Sequence, residues 1–151
     1  MVWLGVDLGD ARVGLAMSDP ELSFAHPEGN IEANGDSFRA LDQVVDFIDD
    51  HTDIDLVVIG LPLQLNGEEG KSAKKARRWA GNLVKRLEVA VHSDDYTIKT
   101  IPEIVFRDER LSTVSAHRQL SVAKVQSRNH RPVVDQQSAV IILQSALDAC
   151  E

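Results

Sequence analysis

A chain of 151 residues, 43% hydrophobic and 26% charged, has room for one domain with a sizeable core. Its formal net charge of −8, from 24 acids against 16 lysines and arginines, argues at first against a polyanionic partner. No apolar stretch approaches a membrane span, and no secretory leader pattern is present. Cys150 is the single cysteine, which excludes an internal disulfide and a cysteine-based zinc site and leads us to expect a cytoplasmic protein.

In chain order, residues 2–7 and 12–18 read as two strands around a tight turn at Leu8-Gly9-Asp10-Ala11. In the second, Val13, Leu15 and Met17 alternate with Gly14, Ala16 and Ser18, so one face is small enough for a helix or ligand to approach closely. Residues 23–32 suit an edge strand, since Pro27-Glu28-Gly29 fits poorly in a sheet interior. Asp36 or Ser37 can cap a helix that puts Phe38, Leu41, Val45 and Ile48 on one face. The β-branched, all-apolar run at residues 56–60 predicts a central parallel strand, buried on both faces.

After the loop at residues 61–67, a long helix is expected from about residue 69 to 87. Ala73, Ala76, Ala80, Leu83, Val84 and Leu87 form its inner stripe, and its lysines and arginines lie outside. Residues 88–102 look irregular, and 103–107 form another strand. Ser112 can cap a short helix over 113–120, and 121–132 read as a basic loop stopped by Pro132. The last helix is expected over 135–149, with Ala139, Ile142, Leu143, Ala146 and Leu147 inward. The pattern predicts a single α/β domain over residues 1–151, with a mixed sheet flanked by helices.

Three acids stand at element ends: Asp7 closing the first strand, Glu109 after the strand at 103–107, and Asp135 at the start of the last helix. Each has an ordinary structural role available, as a turn former or a helix cap. Brought to one sheet edge, however, three carboxylates repel one another, and a divalent cation removes that penalty. Charge distribution supports a polyanionic partner after all. Residues 1–60 contain only Arg12 and Arg39 among lysines and arginines, whereas 71–86 hold Lys71, Lys74, Lys75, Arg77, Arg78, Lys85 and Arg86 with no acid among them. Residues 107–131 add Arg107, Arg110, Arg118, Lys124, Arg128 and Arg131. One positive face suits a nucleic-acid backbone, and its candidate contacts are Arg12, Lys74, Lys75, Arg78, Arg107, Arg110, Lys124, Arg128 and Arg131. The ordinary alternative for the 71–86 run is a solvated helix face.

Four segments carry a family resemblance: residues 5–19 (Gly-Val-Asp-Leu-Gly, then Arg-Val-Gly-Leu-Ala-Met-Ser-Asp), 58–67 (Val-Ile-Gly-Leu-Pro-Leu-Gln-Leu-Asn-Gly), 108–113 (Asp-Glu-Arg-Leu-Ser-Thr) and 134–144. Together, in order and over nearly the whole chain, they resemble the YqgF/RuvX family of bacterial nucleases. The resemblance implies a ribonuclease H-like fold and hydrolysis of nucleic-acid phosphodiesters with Mg²⁺ or Mn²⁺. The expected substrates are Holliday junction DNA or the 5′ end of pre-16S ribosomal RNA. It also places Asp7, Glu109 and Asp135 on the family's acidic triad, as catalytic and metal-holding residues. Asp10 departs from the pattern, standing where threonine, serine or lysine is usual, and Ser138 stands where alanine is favoured.

Two competing readings have different chemistry. Asp-Leu-Gly at a first strand end also resembles the phosphate loop of sugar kinases and actin-like ATPases, but those need two such lobes. A non-catalytic nucleic-acid or ribosome-binding module would keep the fold without the cleavage. A resolvase facing two equivalent strands would work as a two-fold homodimer, whereas an RNA-end trimmer can act as a monomer.

Overall fold

The computed structural model describes residues 1–108 and 127–149, with side chains of the last helix described from Ser138 onward. Strands β1 (Val2–Leu8), β2 (Arg12–Ser18), β3 (Ala25–Glu32), β4 (Ile54–Leu61) and β5 (Glu103–Asp108) form one sheet in the order β3-β2-β1-β4-β5. β1, β2 and β3 pair antiparallel, while β1, β4 and β5 pair parallel, so the sheet is mixed, as the sequence predicts. Helices α1 (Leu41–Asp50), α2 (Lys71–Val91) and α3 (Ser127–Ala149) flank it. Among the described residues no helix is long and apolar enough to cross a membrane.

Local chemistry explains the junctions. The β1–β2 turn closes with Gly9 N–H donating to the Arg12 carbonyl at 3.0 Å. A Cβ on residue 9 would lie 2.5 Å from that carbonyl oxygen, so the turn requires glycine. Asp36 caps a 3₁₀ turn at Ser37–Ala40, accepting from Phe38 N–H at 3.1 Å, and α1 follows directly. β3 is an edge strand of the described sheet, and its register with β2 shifts between Leu15 and Ala16, opposite the Pro27–Gly29 stretch. β4 is central, with parallel neighbours on both sides.

Strand alternation sorts the core into two layers. Val2, Leu4, Val6, Val13, Leu15, Val57 and Ile59 meet α1 and α2 on one face. The other face carries Trp3, Ala16, Leu56, Val58 and Val105, and α3 covers it with Ala139, Ile142, Leu143, Ala146 and Leu147. The small residues let that helix sit close: a Cβ on Gly5 would meet Leu143 Cβ at 2.8 Å and the Ala139 carbonyl oxygen at 2.9 Å. On the first face Trp79 is fully buried, and its indole N–H donates to the Ser37 carbonyl at 2.9 Å.

The structure departs from expectation in two helices. α2 runs further than its apolar stripe implies, to Val91, and Val84 is only half-buried. α3 begins at Ser127, so the second half of the expected basic loop, 127–132, is helical, and Asp135 lies inside the helix rather than at its start. Proline removes one backbone donor, and a helix of 23 residues spans that loss at Pro132. The expected short helix at 113–120 lies outside the described residues.

Candidate acidic site and nucleic-acid interface

Of the three candidate acids, Asp7 is the one whose side chain is described. The rows of the parallel strands run Val6–Ile59–Phe106, and the next row brings Asp7, Gly60 and Arg107 level at the carboxyl edge of the sheet. With strands about 4.8 Å apart, β1 and β5 end about 10 Å from each other. Asp7 follows Gly5 by two residues and therefore shares the face that α3 covers. It is 5% exposed, an uncommon position for a carboxylate.

The other two acids are located by their backbone or their neighbours. Asp135 lies on α3 one turn before Ala139, whose carbonyl oxygen packs over the Gly5 position. Glu109, with Arg110 and Lys124, lies outside the described residues; β5 ends at Asp108, the chain neighbour of Glu109. Arg128 and Arg131 lie on α3, in the stretch where only the backbone is described. Among the described residues no three His, Cys, Asp or Glu side chains gather as a metal cluster.

The remaining basic candidates divide by what holds them. Arg107 shares the α3 face with Asp7, and its Nε donates to Ser145 Oγ at 2.9 Å. Sequence alone gives no pointer to Ser145, because nothing local connects positions 38 residues apart. Arg12 pairs with Glu32 across the β2–β3 ladder at 3.8 Å, and Lys75 pairs with Asp10 at 3.2 Å. Lys74 and Arg78 lie on α2, where Lys74 and Arg78 reach solvent. The basic run of α2 is less positive than its sequence: Arg77 holds Glu69 with two hydrogen bonds of 2.6 and 2.8 Å, and Arg86 pairs with Asp42. The Glu69 carboxyl is held below its ordinary pKa, first by its hydrogen bond from Arg77 and secondarily by the charges of Arg77 and Lys74. Arg77 also lies over the Phe106 ring, 4.9 Å from its centroid.

The loop between β4 and α2 is ordered by its own bonds. Leu63 and Glu69 form a bridge, Gln64 N–H donates to the Glu68 carbonyl at 2.9 Å, and Asn66 Oδ1 accepts from Glu68 N–H at 2.9 Å. Gly67 takes a φ of 85°, which favours glycine. Asn66 therefore shapes the loop, and Leu65 stands fully exposed at its tip.

Comparison with known proteins agrees with this architecture. A relative from Bifidobacterium adolescentis, named "Putative pre-16S rRNA nuclease", is 67% identical over 148 residues, spanning 98% of this chain and 97% of its own. A relative of the same name from Frankia casuarinae is 38% identical, spanning 98% of this chain and 67% of its own. Among solved structures, Thermus thermophilus RuvC in complex with Holliday junction substrate superposes with a TM-score of 0.51 at 14% identity, covering 99% of this chain and 95% of that one. The fowlpox virus Holliday junction resolvase gives 0.52 at 10% identity, covering 99% of both. At such identities these structures establish the fold, which is ribonuclease H-like. The model of the RuvX family, described as Holliday junction resolvase, matches residues 1–149, and the chain belongs to that family.

Proposed function

We propose that this protein is a divalent-metal-dependent endonuclease of the cytoplasm. It would hydrolyse phosphodiester bonds in nucleic acid, either Holliday junction DNA or the precursor of 16S ribosomal RNA. The observation that carries the reading is Asp7: a carboxylate buried at the carboxyl edge of the sheet, on the face covered by the helix that contains Asp135. The names of the relatives and of the structural neighbours support the substrate classes.

An all-oxygen donor set of Asp7, Glu109 and Asp135 fits Mg²⁺ or Mn²⁺, which prefer carboxylates. Asp7 would contribute to both of two ions, with Asp135 completing one and Glu109 the other. When bound, such ions supply a water of lowered pKa and stabilise charge on the leaving oxygen. The chain's own groups then do the positioning. Burial immobilises Asp7 at the sheet edge. In sequence Glu109 has the parity of Val105 and Arg107, which occupy the α3 face. Arg107 presents a guanidinium on that face, suited to a phosphate oxygen. Lys74 and Arg78, together with Arg12, Lys75, Arg110, Lys124, Arg128 and Arg131, would contact backbone phosphates. Recognition would then follow nucleic-acid shape more than base sequence.

The test is cleavage of a labelled four-way DNA junction and of a structured precursor of 16S ribosomal RNA, each with Mg²⁺, Mn²⁺ or chelator. Asp7→Asn serves as control. Paired symmetric nicks in the junction, lost with chelator and with the substitution, would establish a resolvase and imply a two-fold homodimer. Cutting of the RNA alone would assign it to ribosomal RNA maturation. Binding of both without cutting of either would sink the catalytic reading and leave a binding module.

A further inference from the structure

We propose that Leu65, at the tip of the loop between β4 and α2, inserts among the bases of the bound nucleic acid and opens a base step near the place of cutting. The inference rests on the nuclease reading above, from which it needs only that nucleic acid lies along the carboxyl edge of the sheet.

An exposed leucine by itself carries no message, since folded proteins leave many apolar side chains in water. This one is presented by a framework. The loop is a small hairpin: Leu63 and Glu69 form its bridge, and Gln64 N–H donates to the Glu68 carbonyl at 2.9 Å. Gly67 N–H donates to the Gln64 carbonyl at 2.8 Å, which closes a four-residue turn over 64–67. Gly67 at a φ of 85° and Asn66 Oδ1, accepting from Glu68 N–H, complete it. Leu65 takes the second position of that turn and is 100% exposed. Turns favour Gly, Pro, Asn, Asp and Ser, so backbone geometry gives no reason for leucine here. With the backbone already fixed, ordering the tip on a partner costs little, whereas burying it removes a whole leucine surface from water.

The place of the loop names the occupant. β4 neighbours β1, Gly60 lies level with Asp7, and Leu65 follows Gly60 by five residues. Five residues reach at most about 18 Å and strands lie about 4.8 Å apart, so the tip stands within roughly 23 Å of Asp7. At about 3.4 Å per step, that is no more than about seven base steps. Lys71 and Lys74, both exposed, follow in the first turns of α2 and suit the phosphates flanking an opened step. On a polyanion the base stack is the apolar surface such a tip can reach, and apolar wedges that enter a step unstack it and kink the duplex. A branch point or a helix end, where stacking is already interrupted, costs least to open.

The experiment uses the full chain with chelator present, so that no cleavage occurs. The probes are the four-way DNA junction and the precursor RNA of the cleavage test, each carrying 2-aminopurine at one position at a time. Fluorescence of this base rises when it unstacks. The unsubstituted protein should brighten neighbouring positions several-fold in at least one probe, and the probe that responds identifies the nucleic acid. Leu65→Ser should abolish the rise and weaken binding by up to about tenfold, and Leu65→Phe should restore both. Val89→Ser is the control: Val89 is 71% exposed on α2, about 27 Å along the helix from Lys71, and its loss should leave the rise intact. Both side chains stand in water, so the variants should fold. A rise that survives Leu65→Ser, or no rise with either probe, overturns the insertion. If Leu65→Ser instead dissolves a self-associated form in sedimentation and leaves the fluorescence unmoved, the tip belongs to a contact with a second copy and the insertion is overturned. Cleavage assayed separately with metal keeps the two readings apart: a protein that cuts without brightening loses only this proposal, and one that brightens without cutting loses only the nuclease reading.

Discussion

Replacing Gly5 by alanine puts one methyl group against α3, the helix that covers its side of the described sheet. The added Cβ would lie 2.8 Å from Leu143 Cβ and 2.9 Å from the Ala139 carbonyl oxygen. Carbon atoms in contact prefer about 3.5 Å or more, so α3 must retreat by roughly 0.7 Å. Both contacts are to the helix's backbone or to a Cβ, which no rotamer change can relieve. Overpacking of this kind costs about 1–3 kcal/mol. Restricting the unfolded chain by exchanging glycine for alanine returns about 0.4–1 kcal/mol. The net loss is about 0–2.6 kcal/mol, which for a chain of this size lowers Tm by up to roughly 10 °C. Gly81→Ala is the matched control. Gly81 sits exposed in α2, and nothing lies within 4 Å of the place a Cβ would occupy, so the same substitution should raise Tm through helix propensity alone. Thermal unfolding followed by circular dichroism reads both. Equal behaviour of the two variants would refute the close seating of α3 on β1.

Trp79→Phe should cost about 1–3 kcal/mol in chemical denaturation, because the buried Ser37 carbonyl loses its indole donor. The Glu69 carboxyl should titrate below its ordinary range by NMR, and Arg77→Gln should return it upward. The pair's contribution to stability is present above the unfolded carboxyl pKa and is lost as pH falls through the lower folded value. Tyr96 should ionise above the ordinary tyrosine range, first because of the Asp46 charge and then because of burial and the charges of Asp42, Asp49 and Asp95. Its protonated form is favoured by folding, so stability should fall as pH rises past the unfolded tyrosine pKa. Absorbance titration of Asp46→Asn should move the midpoint down.

Much of the architecture is legible in the sequence because alternation and helical periodicity depend on burial, which this chain satisfies plainly. The apolar run at 56–60 announces a central parallel strand, and Ala139, Ile142, Leu143, Ala146 and Leu147 all face the core as their spacing implies. The small face of β2 does admit a helix, with Ala16 packed under α3. Pro132 hides the start of α3, since a proline so often ends a helix that its place inside one leaves no local signal. Charge misleads for a different reason. The run at 71–86 contains no acid, but Asp10 and Asp42, which neutralise part of it, come from elsewhere in the chain and only folding brings them to it, while Glu69 reaches Arg77 from just before the run. Of the candidate site, Asp7 can be anticipated from its position at a strand end. The Ser145 contact of Arg107 cannot, because it depends on a tertiary neighbour.

The seating of α3 has a consequence for the order of synthesis. A ribosome releases the five strands, α1 and α2 before the last helix, so the nascent sheet has its α1–α2 face covered while Ala16, Leu56 and Val58 wait bare on the other. Residue 135 arrives on the very element that seals that face. Completion of the hydrophobic layer and delivery of the third candidate acid, Asp135, are therefore one event, and a truncated chain lacking α3 would be both adhesive and without the carboxylate at position 135.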